Sequence, residues 1–320
     1  MDMQIPHALL EITDKTRLYR TTERPEFFFS DQLNAHYDPA THAVWSTWSP
    51  APRPSFNPDL LKDLSSYCRF VAQTDAEIEC LGERMPIEYT VLASAVPGVF
   101  NLGGDLDLFV QLIERRDRSA LLQYGKACVD VLYRNYIGHG LPVSTISLVQ
   151  GECLGGGFEA ALSSDIIIAE RHARFGFPEI LFNLFPGMGA LSLLARRIGM
   201  RQAEELILSG KILPAAKLHE MGVVDVLAPN GQGETAVRDW ITSNAKRRNG
   251  MQAMHLHRTA ATGVVGLALE RDDAAAICLA GSDVHFDVAE ECLRDPRAAL
   301  SGGNANLDMH SGRAAVGERR

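Results

Sequence analysis

The chain has 320 residues, 46% of them hydrophobic and 22% charged, an ordinary globular balance that suits one large domain with a tail, or two domains. A net charge of −9 excludes the clustered basic footprint that nucleic acid or an anionic membrane would need, and the short run Lys246, Arg247, Arg248 reads as a solvated helix end. Six scattered cysteines form no CxxC pair, the start MDMQIPHALLEITDK is not a signal peptide, and no apolar run approaches the ~20 residues of a membrane span, so a soluble cytoplasmic protein with reduced core thiols is expected.

The first 40 or so residues mix aromatics and charges without a clear period and read as an N-terminal extension with at most one strand. From Ala43, AVWSTW has strand character. Asn57, Pro58 and Asp59 then supply a cap, a first-turn proline and a dipole-matched acid, and Leu60, Leu61, Leu64, Tyr67, Cys68 and Val71 follow at helical spacing. The strand IEYTVLASAV runs into the loop FNLGGDL and the apolar-periodic LDLFVQLI. PVSTISLVQG leads into GGGFEAALSSD, and DIIIAE with ARFGF leads into PGMGALSLLARRIG. This repeated order of strand, glycine loop and helix predicts an α/β fold with parallel strands, whose chemistry sits in loops at the strand ends. RQAEELILSG and PAAKLHEMG predict short helices closed by glycine, VVDVLA a strand, and GETAVRDWITSNAKR a further helix. Beyond Gly250 periodicity weakens, and the end SGGNANLDMHSGRAAVGERR has the composition of a disordered tail.

Three loops offer chemistry. In GGGFEAAL, residues 155–162, glycines let the backbone approach a ligand, and the helix start presents unpaired N–H groups toward a developing oxyanion, with Glu159 in the first turn. The plainer reading is a tight strand-to-helix turn whose glutamate complements the helix dipole. In FNLGGD the amide of Gly104 could give a second donor while Asp105 caps the following helix; alone this is a common turn. In FGFPEILFNLFPGMG, Glu179 lies among Phe175, Phe177, Phe182 and Phe185, where desolvation would raise its pKa toward the range of a general acid or base; the bland alternative is a surface glutamate over packed phenylalanines. GECLGG and GMGALS fall short of a dinucleotide GxGxxG, and His255 with His257 lacks an HExxH context and reads as surface. There is no GxSxG elbow, so no cofactor and no metal is expected.

Together these pieces resemble the crotonase, or enoyl-CoA hydratase/isomerase, superfamily over roughly residues 43–227, most specifically in SLVQGECLGGGFEAALSSDIIIAE and FGFPEILFNLFPGMG. The resemblance implies a spiral of repeated ββα units with a C-terminal helical region. It divides the chain into an extension (1–42), a catalytic domain (43–245), a helical region (246–300) and a tail (301–320). It places the oxyanion-hole amides on Gly104 and Gly156 and the catalytic carboxylates on Glu159 and Glu179. It also implies a cytoplasmic homo-oligomer built on trimers.

Within that superfamily the runs VFNLGGDL, GGGFEAAL and FPEILFNLFPGMGALSLLARR are similar to those of the bacterial diffusible signal factor synthases. That similarity implies dehydration of a 3-hydroxyacyl chain on acyl carrier protein, then thioester hydrolysis to a free cis-2-enoic acid. Glu179 would be the C2 base and Glu159 the partner of the hydroxyl. Leu154, Leu181, Leu184, Phe185 and Met188 would suit an apolar sleeve for the chain, or are plain core. Two other readings stay open: an enoyl-CoA hydratase of fatty-acid metabolism acting on acyl-CoA, and a non-catalytic protein of this fold that engages a partner such as a sensor kinase. The stretch after Gly250 departs from the tryptophan-bearing C-terminal helices usual in the superfamily.

Overall fold

Parallel strands cannot be joined by a tight turn, so each repeat must cross over before its next strand. The computed structural model, which describes residues 17–19, 24–182 and 184–258, shows how this chain does so. Three successive units each contribute one strand to a large sheet and one to a small sheet before turning into helix. The first is β7 (Tyr89–Ser94), β8 (Val99–Asn101), α2 (Leu106–Glu114) and α3 (Arg118–Tyr136). The second is β9 (Ser144–Val149), β10 (Glu152–Leu154) and α4 (Gly156–Leu162). The third is β11 (Ile166–Glu170), β12 (Arg174–Gly176) and α5 (Ala190–Ile198). This is the expected spiral of ββα units.

The large sheet is closed on one side by β14 (Val226–Ala228), parallel to β11. On the other side β4 (Ala43–Trp48) pairs parallel with β7. Beyond β4 lie β3 (Leu33–Asp38), β2 (Glu26–Ser30) and β1 (Arg17–Tyr19), all antiparallel. Before residue 43 there are thus three strands where the sequence suggested one at most. Their period is hidden because aromatics fall on both faces of EFFFS: Phe27 is buried, while Phe28 next to it is exposed.

Both faces of the large sheet are covered, which is why β9 and β11 are buried along their whole length. On one face α1 (Pro58–Ala72) buries the six predicted residues Leu60, Leu61, Leu64, Tyr67, Cys68 and Val71, and Asn57 caps it by accepting from Leu60 N–H at 2.8 Å. Truncating a core leucine such as Leu60, which is 0% exposed, to alanine costs about 2–5 kcal/mol. The other face packs Trp45, Tyr89, Ile146 and Ile168 against Val237 and Ile241 of α8 (Gly233–Asn244). Helix α3 and the hairpin of β5 (Glu77–Cys80) and β6 (Glu83–Pro86) had no counterpart in the sequence reading. Helices α6 (Met200–Ser209) and α7 (Ala215–Glu220) follow α5, with β13 (Leu213–Pro214) between them on the edge of the small sheet.

Helix α9 (Arg248–Arg258) is the last described element. The basic run that leads into it is not all solvated: Arg248, the first residue of α9, donates to Pro142 O at 2.9 Å and faces Glu88 at 3.5 Å. His255, expected at the surface, has a side chain only 11% exposed and pairs with Asp165 at 2.5 Å, whereas His257 is exposed. Of the cysteines, Cys68, Cys80, Cys128 and Cys153 are free and buried, and Cys278 and Cys292 lie outside the described residues, as does the tail. Among the described residues no helix is long and apolar enough to cross a membrane.

Candidate active site

The small sheet runs β13-β12-β10-β8, and its three parallel strands end level with one another: Cys153 pairs with Asn101 on one side, and Leu154 with Gly176 on the other. Each of these three strands leads directly into one of the chemically suggestive loops. Segments about 50 and 20 residues apart in the chain are therefore brought side by side, as expected for loops at the ends of neighbouring parallel strands.

After β8, Asn101 turns the chain by accepting Gly103 N–H on Oδ1 at 2.7 Å. Gly103 has φ +93, and a Cβ there would stand 2.8 Å from the nitrogen of Gly156, so only glycine lets the two loops touch. Phe56 N–H donates to Gly103 O at 2.8 Å in a parallel bridge at Gly104. In such a bridge the amide of the bridged residue points away from its partner, here away from Phe56. Asp105 caps α2 by accepting Leu108 N–H at 3.2 Å. After β10, Gly155 adopts φ 52 and ψ −128, which ends the strand and opens α4 with Gly156 as its first residue. Gly155 N–H donates to Gly176 O at 2.9 Å, tying the helix start to β12. As a first-turn residue Gly156 has an amide with no carbonyl four residues back, the condition for an outward-facing donor.

Glu159 is 1% exposed. Its Oε1 accepts two backbone amides, Met188 N–H at 2.7 Å and Ala190 N–H at 2.9 Å. Gly189 between them has φ 108, a left-handed turn that aims both amides at one oxygen. With both lone pairs of Oε1 engaged, a proton carried by Glu159 sits on its other oxygen, Oε2. The sequence reading missed this cradle; its signal was the glycine at the cap position of α5 in PGMG. Met188 also reaches the oxyanion side, because a Cβ on Gly156 would lie 2.7 Å from its Sδ.

Glu179 stands at the start of a short 3-10 turn, Pro178–Phe182. A Cβ on Gly155 would meet its Oε1 at 2.5 Å, so its carboxylate lies directly over that glycine. The stem is half-buried, but Oε2 is shut off from solvent and has no hydrogen-bond partner among the described residues. Burial raises its pKa from the ordinary 4.5 to about 7, opposed only in part by its own backbone amide. The phenylalanines do not all surround it. Phe175 and Phe177 are buried beneath α4 against Phe158, with ring centroids 5.1 and 4.7 Å apart, while Phe185 is 40% exposed.

The remaining sequence candidates divide. Leu154 is buried, with its carbonyl against the Gly103 turn, and Met188 covers Gly156. Leu184 is half-buried and its amide donates to Glu179 O at 3.0 Å. Leu181 is 44% exposed and leans on Gly210 at the end of α6. Two carboxylates at one strand-to-helix turn, beside amides held open by glycine, can pass a proton to and from a carbon next to a polarised carbonyl.

Residues 81–281 match a family model described as enoyl-CoA hydratase/isomerase. Solved structures with the same fold include an enoyl-CoA hydratase from Bacillus halodurans, at 19% identity with a TM-score of 0.69 over 82% of this chain and 99% of that one. An enoyl-CoA hydratase/isomerase from Xanthobacter autotrophicus Py2 matches at 23% identity with a TM-score of 0.67, covering 86% and 98%. DspI from Pseudomonas aeruginosa matches at 21% identity with a TM-score of 0.59, covering 76% and 93%.

Proposed function

The chain belongs to the enoyl-CoA hydratase/isomerase family, and on that premise we propose that it dehydrates a 3-hydroxyacyl thioester on acyl carrier protein and then hydrolyses it to a free 2-enoic acid of the diffusible-signal type. The observation that carries the reading is the pair of carboxylates at one turn: Glu159 is gripped by two amides, and Glu179, whose Oε2 is shut off from solvent without a partner among the described residues, has its pKa raised to about 7. The choice of carrier protein and the hydrolytic step rest above all on the similarity of residues 177–197 to the signal synthases.

The Gly104 and Gly156 amides hold the thioester oxygen as charge gathers on it. Glu179 takes the C2 proton; the C2 electron pair forms the C2–C3 double bond as the C3–O bond breaks, and the hydroxyl leaves as water with a proton from Glu159. In the second step water adds to the thioester carbon, giving up a proton to a carboxylate. The tetrahedral intermediate then expels the carrier thiol, which takes that proton back. Leu154, Leu181, Leu184, Phe185 and Met188 line the path of the acyl chain.

A second reading, an enoyl-CoA hydratase, is favoured by one feature: a Glu179 that keeps its proton up to about pH 7 suits an acid that protonates C2 as water adds. One experiment separates the two. Purified protein is incubated with 3-hydroxydodecanoyl carrier protein and, separately, with the coenzyme A analogue, and the products are identified by mass spectrometry. Free 2-dodecenoic acid from the carrier-protein substrate is expected; enoyl-CoA alone would establish the hydratase, and no turnover of either would reject both. Glu159→Ala and Glu179→Ala should each abolish dehydration.

A further inference from the structure

Apart from the carboxylates, the fold holds a cavity with room for about two water molecules. It lies between β4 and β7 of the large sheet and the helices α1, α3 and α4. Ala160 and Ser163 of α4, the helix that carries Glu159, form part of its wall. Most of the lining is apolar, but Tyr67, Thr90 and His139 also face it. These residues are 4%, 4% and 3% exposed; among the described residues the Thr90 hydroxyl and both ring nitrogens of His139 have no hydrogen-bond partner, while the Tyr67 hydroxyl lies against that of Ser46.

Such a cluster is not a by-product of packing. His139 has a left-handed backbone, φ 57, between Gly138 and Gly140 at 59 and 77, a strained arrangement for a residue with a side chain. The turn brings its ring edge-on to Tyr67, with centroids 5.7 Å apart. Burial holds the imidazole neutral, with a pKa of about 4, so the ring offers one donor and one acceptor. Each hydroxyl can likewise give and take a hydrogen bond. Other polar groups on the wall are already engaged: Ser46 donates to Val91 O, and Asn135 donates to Ser163 and Ser164. A buried donor or acceptor left without a partner is costly, and a cavity of this size on which Thr90, His139 and the Tyr67 hydroxyl converge meets the requirements for bound water.

We propose that this cavity is an internal water-binding site, in which ordered water bridges the Tyr67 and Thr90 hydroxyls and the His139 imidazole and so ties α1, β7 and the turn after α3 together. The water is a structural ligand, distinct from the water of the reaction.

The full chain in a high-resolution crystal decides it directly: density for water within hydrogen-bonding distance of Thr90 Oγ1 and a His139 nitrogen is expected. Thr90→Val keeps the shape and removes one hydroxyl, so the sign of its effect is informative. With water bound, the variant lowers Tm by about 2–8 °C, because a bridging water loses a partner. With a dry cavity, the substitution removes an unsatisfied hydroxyl and leaves Tm unchanged or higher, and xenon under pressure enters. Absence of water density in the wild-type crystal, or xenon uptake there, would overturn the proposal whether or not the variant folds.

Discussion

Gly155→Ala tests the site at its tightest point. The added Cβ would stand 2.5 Å from Glu179 Oε1 and 3.2 Å from its Cδ, closer than side chains pack, so the carboxylate must move by about an ångström. The backbone at φ 52 and ψ −128 is glycine territory, and holding alanine there costs about 1–3 kcal/mol. For a domain of this size that lowers Tm by about 2–12 °C. A displacement of about 1 Å in a reacting group can cost about 100-fold in rate, so kcat/KM should fall by that order. Gly222→Ala is the control, because Gly222 shares the strain, φ 82, but a Cβ there meets nothing within 4 Å. It should lose stability and keep its rate. The assays are calorimetry for Tm and mass-spectrometric turnover of enoyl and 3-hydroxyacyl thioesters. If Gly155→Ala is destabilised yet turns over like wild type, Glu179 does not act from its seat over that glycine.

Glu179 has its pKa raised to about 7, and dehydration and hydration both need the two glutamates to hold one proton between them, so kcat/KM for the two directions should bend together near pH 7; profiles with no bend there would contradict the assigned roles. Because its folded pKa lies above the ordinary 4.5, the stability it lends is complete below 4.5 and is lost as pH rises through 7. Glu179→Gln should therefore match wild type in stability at pH 4.5 and exceed it at pH 8, by up to about 3 kcal/mol, read as a higher Tm at pH 8 alone. His139 has the opposite sign: with a folded pKa of about 4 against 6.5, its contribution is complete above 6.5 and disappears as pH falls to 4. About 3 kcal/mol is at stake, and His139→Asn, which tolerates a left-handed backbone, should flatten that limb of the Tm profile. Gly189→Ala should spoil the turn that aims two amides at Glu159 Oε1, lowering kcat and shifting its pH profile more than it changes KM. A KM effect alone would show that the turn serves binding instead.

Much of this architecture was legible where one physical signal dominates. The cap at Asn57 and the spacing from Leu60 to Val71 specify α1 down to its buried residues. Glycine followed by an apolar run marks the starts of α4 and α5. Helix α3 was missed because its apolar residues are diluted by Arg118, Gln123, Lys126, Asp130 and Arg134, which blurs the stripe. Strands β2 and β3 were missed because Phe27, Phe28 and Phe29 stand in a row and mask the alternation. In the site, local sequence could suggest Glu159 and Glu179 as acids near glycines. Only the register of β8, β10 and β12 puts Glu179 over Gly155, and only the fold brings residues 188 and 190 to the carboxylate of residue 159. The His139 cluster had a faint signal in Gly-His-Gly, but its partners Tyr67 and Thr90 are distant in the chain and invisible to any local pattern.

The level ends of β8, β10 and β12 have a further consequence for how competence is acquired. The reacting groups come from four stretches spread over about 90 residues, and none of them stands in its working position until all three strands are laid edge to edge. Contacts of such long sequence separation form late. Catalytic turnover is therefore a stricter reporter of complete folding than helical signal, which α1 and α3 would already give in a chain that cannot yet react.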